Sequence, residues 1–168
     1  KGVILAKSGT VHLASGDRTV VSFDRRGLLG IAVTEVTSGS VIDLKTGETL
    51  KAALANSGTI EAGQVMMTAS VGREIFEQAV NQSGVIKGTG LVNENGVIKI
   101  IAQRATRNAP VGSLGEQREE PNKSPAVGLG GKLDAGKEGK VEVISEGSIT
   151  VAEPLETVGD TSLEANDD

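Results

Sequence analysis

Short runs in which apolar and polar residues alternate recur along the chain, and many open on a small turn residue, then glycine, then a β-branched pair. The phrase stands at Gly2-Val3-Ile4-Leu5-Ala6, Gly39-Ser40-Val41-Ile42-Asp43-Leu44, Gly58-Thr59-Ile60-Glu61-Ala62, Gly84-Val85-Ile86-Lys87, Gly96-Val97-Ile98-Lys99-Ile100 and Gly147-Ser148-Ile149-Thr150-Val151. Further alternating runs lie between, at Thr10–Ala14, Gln64–Ala69 and Lys140–Ile144. Period-2 alternation over so few residues predicts half-buried β-strands, and the Gly, Ser, Asn and Asp residues that bound each run supply the turns. Val, Ile and Thr together number 43, a composition suited to a pleated surface.

One repeat can be written residue by residue. Glu48–Ile60 lies over Glu74–Ile86 at an offset of 26, with Glu, Ala, Ser, Gly and Ile coinciding. Self-similarity at this period points to stacked coils, and uneven spacing of the other glycine phrases points to coils that accept insertions. A short strand with one apolar face needs a neighbour, and a coil of about 20 residues places one strand spacing, about 4.8 Å, from the next. The predicted fold is therefore all-β, a parallel β-helix (β-solenoid) with one long loop. A β-sandwich of this length is the alternative, but it would more often carry Trp or several Tyr. Thr49–Ala55 and Glu74–Val80 carry apolar residues at helical spacing and admit either short helices between coils or irregular β segments. Alternation assigns to the core Val3, Leu5, Val11, Leu13, Val20, Ile31, Val33, Ile42, Leu44, Ile60, Val65, Met67, Ile86, Val97, Ile100, Val141, Val143, Ile149 and Val151.

The expected organisation is β-helix coils over 1–106, a loop or linker over 107–131, further coil over 132–152 and an acidic C-terminal segment over 153–168. The loop expectation rests on Pro110, Pro121 and Pro125, three of the four prolines, and on the charged run Glu116–Glu120.

Composition narrows the chemistry. The 168 residues include two Phe, no Tyr, no Trp, no Cys and a single His. Aromatic platforms for bases or sugars, disulfides, thiolate chemistry and multi-histidine zinc sites are thereby excluded. The net charge is −5, divided unevenly: residues 1–106 hold 11 Lys/Arg against 9 Asp/Glu, and residues 107–168 hold 6 against 13. The acidic second part repels nucleic acid and anionic membrane, and no apolar run is long enough to span a bilayer. The chain opens at Lys1 without Met or a signal peptide, and is read as a mature or internal piece of a longer protein. A Cys-free chain agrees with an exported bacterial protein and with many cytosolic ones.

Few residues present themselves for chemistry. His12, opposite Val11 and Leu13, is expected on an outer strand face. Gly128–Gly136 matches neither a phosphate loop nor a calcium β-roll in full and is expected to be a flexible turn. Glu142, Glu146, Glu153, Glu156, Asp160 and Glu164 are expected to form a solvated face in preference to a calcium site. Asp17, Asp24, Glu35 and Asp43 are available for paired-carboxylate chemistry, but nothing in the sequence sets any two face to face. Arg25 and Arg26 read as a surface corner. No catalytic, cofactor-binding or metal-binding residue is assigned, and the chain is expected not to be an enzyme.

Gly9–Asp17, Thr19–Asp24, Gly27–Val33, Asn56–Val65 and Val80–Ile86, taken as an ordered series within Gly2–Gln103, resemble the filamentous haemagglutinin family of two-partner-secreted exoproteins. The resemblance implies a right-handed parallel β-helix exported through an outer-membrane transporter. It implies a secreted or cell-surface location on a Gram-negative bacterium and a role in adhesion, biofilm or surface filaments, with host or matrix glycans or proteins as partners. The family's Asn-rich secretion motifs are missing, so the chain is expected to begin at the end of the secretion module and run into the shaft. A glycan- or protein-binding module on a solenoid ranks second, and a polysaccharide-active β-helix enzyme third.

Overall fold

A computed structural model describes residues 2–23, 29–72, 75–90, 95–104 and 126–166. Among the described residues the chain is all-β, without helix. Its strands are β1 (Val3–Ser15), β2 (Arg18–Phe23), β3 (Leu29–Glu35), β4 (Ala52–Asn56), β5 (Thr59–Val71), β6 (Gln78–Gln82), β7 (Val85–Gly88), β8 (Val97–Arg104), β9 (Val127–Asp134), β10 (Lys140–Ser145), β11 (Ile149–Val158) and β12 (Asp160–Ala165). Ten of them form one sheet in which every pairing is parallel; β2 and β3 form a separate antiparallel hairpin.

The pairing resolves into three ladders. In the first, Ile4, Ile60, Ile86 and Leu133 stand in one row, and Thr157 follows Leu133. In the second, Val11, Val65, Ile98, Val141 and Thr161 are in register, as are Leu13, Met67, Ile100, Val143 and Leu163. In the third, Leu54, Val80, Val127 and Ile149 align. The long strands β1, β5, β9 and β11 each contribute to two ladders. Inward side chains of all three ladders belong to one hydrophobic cluster, with Ile60, Val65, Met67, Ile86, Ile98, Ile100, Leu133 and Val143 fully buried. Stacking like on like lets aliphatic side chains fill a narrow interior without aromatics.

The 26-residue offset predicted from Glu48–Ile60 and Glu74–Ile86 is the observed register: Leu54 pairs with Val80, Asn56 with Gln82 and Ile60 with Ile86. Asn56 Nδ2 donates to Gln82 Oε1 at 2.9 Å inside the stack, across a separation of 26 residues. The next member of that row is Leu129, which offers no acceptor, and Gln82 Nε2 is left without a partner.

The glycine of the recurring phrase marks a corner. Gly58, Gly84 and Gly131 immediately precede their first-ladder strands or bend into them. A Cβ on Gly58 would strike the carbonyl of Gly2, one on Gly84 the carbonyl of Gly58, and one on Gly131 the carbonyl of Gly84. Those same carbonyls accept the ladder hydrogen bonds from Thr59 (3.0 Å), Val85 (2.9 Å) and Lys132 (3.0 Å). The corner is tight because neighbouring strands hydrogen-bond directly through it, and only glycine leaves the room.

Several expectations change. Of the two alternatives admitted over Thr49–Ala55 and Glu74–Val80, the described residues take the β one, as strands β4 and β6 with irregular residues before each. Ala79 and Val80, adjacent in β6, are both buried, so the stretch lacks the strict alternation that marks a strand. Gly128–Asp134 is strand, not a flexible turn; Gly131 carries the positive φ that bends it, and Gly136 the one that ends it. Strand structure thus resumes at Val127 instead of Lys132, and residues 107–125 of the expected loop lie outside the described residues. Of the expected acidic segment 153–168, residues 153–165 continue the ladders through β11 and β12, and 167–168 lie outside the described residues. Of the expected core, Val3, Leu5, Val20, Ile42, Leu44 and Val151 are exposed, and Ile98 occupies the inward position assigned to Val97. Val97-Ile98 and Ile100-Ile101 are apolar doublets, so alternation alone does not choose the face; the row shared with Val65 and Val141 does.

Candidate interaction surface

The segment between β1 and β4 stands outside the ladders. The β2–β3 hairpin is tied at its base by Asp17 N donating to Glu35 O at 2.9 Å and by the Arg18–Glu35 ion pair at 2.8 Å. Asp17 Oδ2 accepts from Ser38 N and Ser38 Oγ, holding the following chain against the hairpin. Thr37 then docks on the end of β5: its N–H donates to Ser70 O, and its carbonyl accepts from Gly72 N. A second turn follows, in which Asp43 Oδ1 accepts from Lys45 N and Thr46 N and Gly47, at positive φ, closes onto Asp43 O. Leu44 sits at the tip of this turn with 94% of its surface exposed. Val20, Val21, Val41, Ile42 and Leu50 are also exposed, so this outgrowth carries much of the chain's exposed aliphatic surface. Alternation along 39–44 pointed to a core strand. The strand-forming signal there is real, but no neighbouring coil covers it.

The charged groups are arranged between neighbouring strands of the ladders. Lys51 pairs with Glu77 at 3.2 Å, Lys99 with Glu142 at 2.9 Å and Lys132 with Glu156 at 2.7 Å. Lys99 and Glu142, and Lys132 and Glu156, are direct ladder partners. The Lys132 ammonium is held above its ordinary range, chiefly by its hydrogen bond to Glu156. The Glu142 carboxyl is held below its own, chiefly by the hydrogen bond from Lys99. Glu142 and Glu156 are therefore engaged with lysines, and among the described residues no group of three or more His, Cys, Asp or Glu gathers as a metal site.

His12 lies on β1, half-buried, with Nε2 hydrogen-bonded to Thr68 Oγ1 at 3.2 Å; burial pushes its imidazole pKa down. Among the described residues no carboxylate is its hydrogen-bond or ion-pair partner. Asp17, Glu35 and Asp43 hold local turns and the hairpin base, while Asp24, Arg25 and Arg26 lie outside the described residues. A groove of about 440 Å³ follows the glycine corner past Ser57, Ser83, Lys132 and Glu156. Its one cation is already neutralised by Glu156. No helix among the described residues is long and apolar enough to cross a membrane.

Comparison of the chain with protein-family models, with curated proteins and with solved structures finds no match.

Proposed function

We propose that the three ladders close around their common core as a right-handed parallel β-helix, and that the chain is a structural segment of a secreted bacterial adhesin or extracellular filament. The observation that carries this reading is the shared order of strands in all three ladders, with buried rows of aliphatic residues inside each. Right-handed crossover is the rule for parallel strands joined in this way. Such a stack gives length and stiffness along its axis. Each coil rests on the one before it, so a chain leaving an outer-membrane two-partner-secretion transporter unfolded folds coil by coil without an energy source outside the cell. The location that follows is secreted or cell-surface, in adhesion or biofilm.

The test is export. The 168 residues, fused behind a two-partner secretion module and expressed with its transporter in a Gram-negative host, are expected to reach the surface folded and protease-resistant. Ile60→Asp is expected to leave them degraded. Failure of the wild-type fusion to appear outside, while the module alone is exported, overturns the reading.

A second reading, a module that binds glycan or protein, is favoured by the exposed aliphatic outgrowth between β1 and β4. Adhesion that survives export of the fold but disappears with Leu44→Asp would select it.

A further inference from the structure

Three segments of the chain carry the same inward pattern. Leu54, Asn56 and Ile60 on β4 and β5 are followed in the ladders by Val80, Gln82 and Ile86 on β6 and β7, and those by Val127, Leu129 and Leu133 on β9. The aliphatic rows do not tell the second segment from the third. Val127 suits the place beside Leu54 as Val80 does, and Leu133 the place beside Ile60 as Ile86 does, since exchanges among aliphatic side chains of like volume cost little. The middle row is different. Asn56 Oδ1 accepts from Gly58 N at 3.1 Å, which leaves Nδ2 to serve the next strand, where it donates to Gln82 Oε1 at 2.9 Å. Both side chains are buried. Leu129 in the place of Gln82 would leave Asn56 Nδ2 a buried donor without an acceptor.

The pair carries a cost. Gln82 Nε2 is buried and finds no acceptor among the described residues. An apolar pair of the same shape would leave no such group unsatisfied and would be at least as stable. What the amides add over an apolar pair is a choice of neighbour, as a buried polar residue does when it fixes the register of packed helices. We propose that the Asn56–Gln82 pair is a docking selector: it admits β6 and β7 beside β4 and β5, and it rejects β9, whose aliphatic rows would otherwise fit the same place. On the outer face the same exchange would set Asp134 in place of Lys87 beside Glu61, a weaker and solvent-screened bias in the same direction. The selection acts while the chain folds, when the segments are present together and none is yet covered. It needs the ladders alone and is independent of where the chain works.

The chain contains no Cys, so cysteine pairs placed in it report which strands lie together. Thr59→Cys with Val85→Cys links direct ladder partners, one strand spacing or about 4.8 Å apart. Thr59→Cys with Lys132→Cys spans two spacings, about 10 Å, beyond the reach of a disulfide in the native order. Each full chain is refolded from urea at high dilution in a glutathione redox buffer, and its links are counted by peptide mapping. With the selector intact, the 59–85 link is expected to form and the 59–132 link to stay at trace level. Gln82→Leu removes the acceptor, so either neighbour leaves Asn56 unpaired. The 59–132 link is then expected to rise about tenfold, the scale of one interior hydrogen bond left unmade. Leu129→Gln keeps the native pair, offers Gln82 Nε2 an acceptor and gives the competing segment an acceptor for Asn56. It is expected to raise the 59–132 link likewise, with circular dichroism showing the native fold. A 59–132 link that stays at trace level in Leu129→Gln overturns the proposal, even where Gln82→Leu fails to fold. A Gln82→Leu chain that folds with its links unchanged, or a 59–132 link already abundant with the selector intact, overturns it as well. Loss of the 59–85 link in the otherwise native sequence would overturn the ladder register, and the selection with it.

Discussion

Ile4, Ile60 and Ile86 occupy one row of the first ladder, each the second residue after a corner glycine, yet Ile4 is 41% exposed, Ile60 1% and Ile86 0%. The second ladder repeats the contrast: Val143 is fully buried and Leu163, its neighbour in the same row, is 48% exposed. The local sequence of inner and terminal coils is the same in kind. What differs is the number of neighbours. An inner strand has a coil on both sides and a terminal strand has one, so a side chain of equal hydrophobicity loses most of its water in the first case and about half in the second. Burial in this architecture is a property of position in the stack.

The sharpest way to break the comparison is to place the same charge at both ends of it. Ile60→Asp buries an unpaired carboxylate and is expected to cost about 4 kcal/mol or more, abolishing cooperative unfolding. Ile4→Asp, in the same row, is expected to cost about 1 kcal/mol or less. Denaturant titration of both checks this, and equal losses would show that the end coil is covered as thoroughly as the inner one. A smaller separation is expected for glycine. Gly84→Ala drives a Cβ into the Gly58 carbonyl, which is backbone and fixed by its own ladder bond, and is expected to cost about 2–3 kcal/mol. Gly39→Ala, in the outgrowth, meets open space and is expected to change stability by about 0.5 kcal/mol at most. Comparable melting of the two would remove the corner from the account.

The same contrast explains what could be read from the chain beforehand. The register of Glu48–Ile60 against Glu74–Ile86 was legible because those coils follow one another without a large insertion, so that Leu54/Val80, Asn56/Gln82 and Ile60/Ile86 keep one offset. The partners Ile98 and Val141, or Ile86 and Leu133, lie across insertions of other lengths, and no single period reveals them. Burial of Ile60, Val65 and Val143 followed from alternation, since alternation fixes which face turns inward. Exposure of Val3 and Leu5 did not follow, because Val3-Ile4-Leu5 is an unbroken apolar run that leaves the face open, and only the register sets Val3 beside Thr59 and Leu5 beside Glu61 on the outer face. Val151 lies in the row of Leu129 on a strand paired, among the described residues, on one side alone. Leu44 misled for a related reason: 39–44 has the composition of a strand, but an Asx turn on Asp43 folds it outward. The interaction surface was the less legible part. Coil-to-coil pairs such as Lys99 with Glu142 join residues distant in sequence and emerge only once the ladders are aligned.

Those ion pairs supply the finest test of the comparison. Lys99 and Glu142 face each other on inner strands, with side chains 29% and 25% exposed, whereas Lys51 and Glu77 lie just before β4 and β6 and are largely solvated. Because Glu142 in the folded chain titrates below its ordinary value, its pair contributes stability that is complete above the unfolded glutamate range. That contribution disappears as the pH falls through the lower, folded value. Lys99→Met keeps the aliphatic stem and removes the charge. At neutral pH it is expected to cost about 0.5 kcal/mol, the scale of a solvent-screened pair, and this deficit is expected to shrink as the pH falls below the ordinary carboxylate range. Lys51→Met is expected to match wild type throughout. Urea unfolding of the three proteins as a function of pH decides it. A Lys99→Met deficit that persists unchanged in acid would assign the effect to packing of the lysine stem, and equal deficits for both variants would mean that inner and outer pairs are solvated alike.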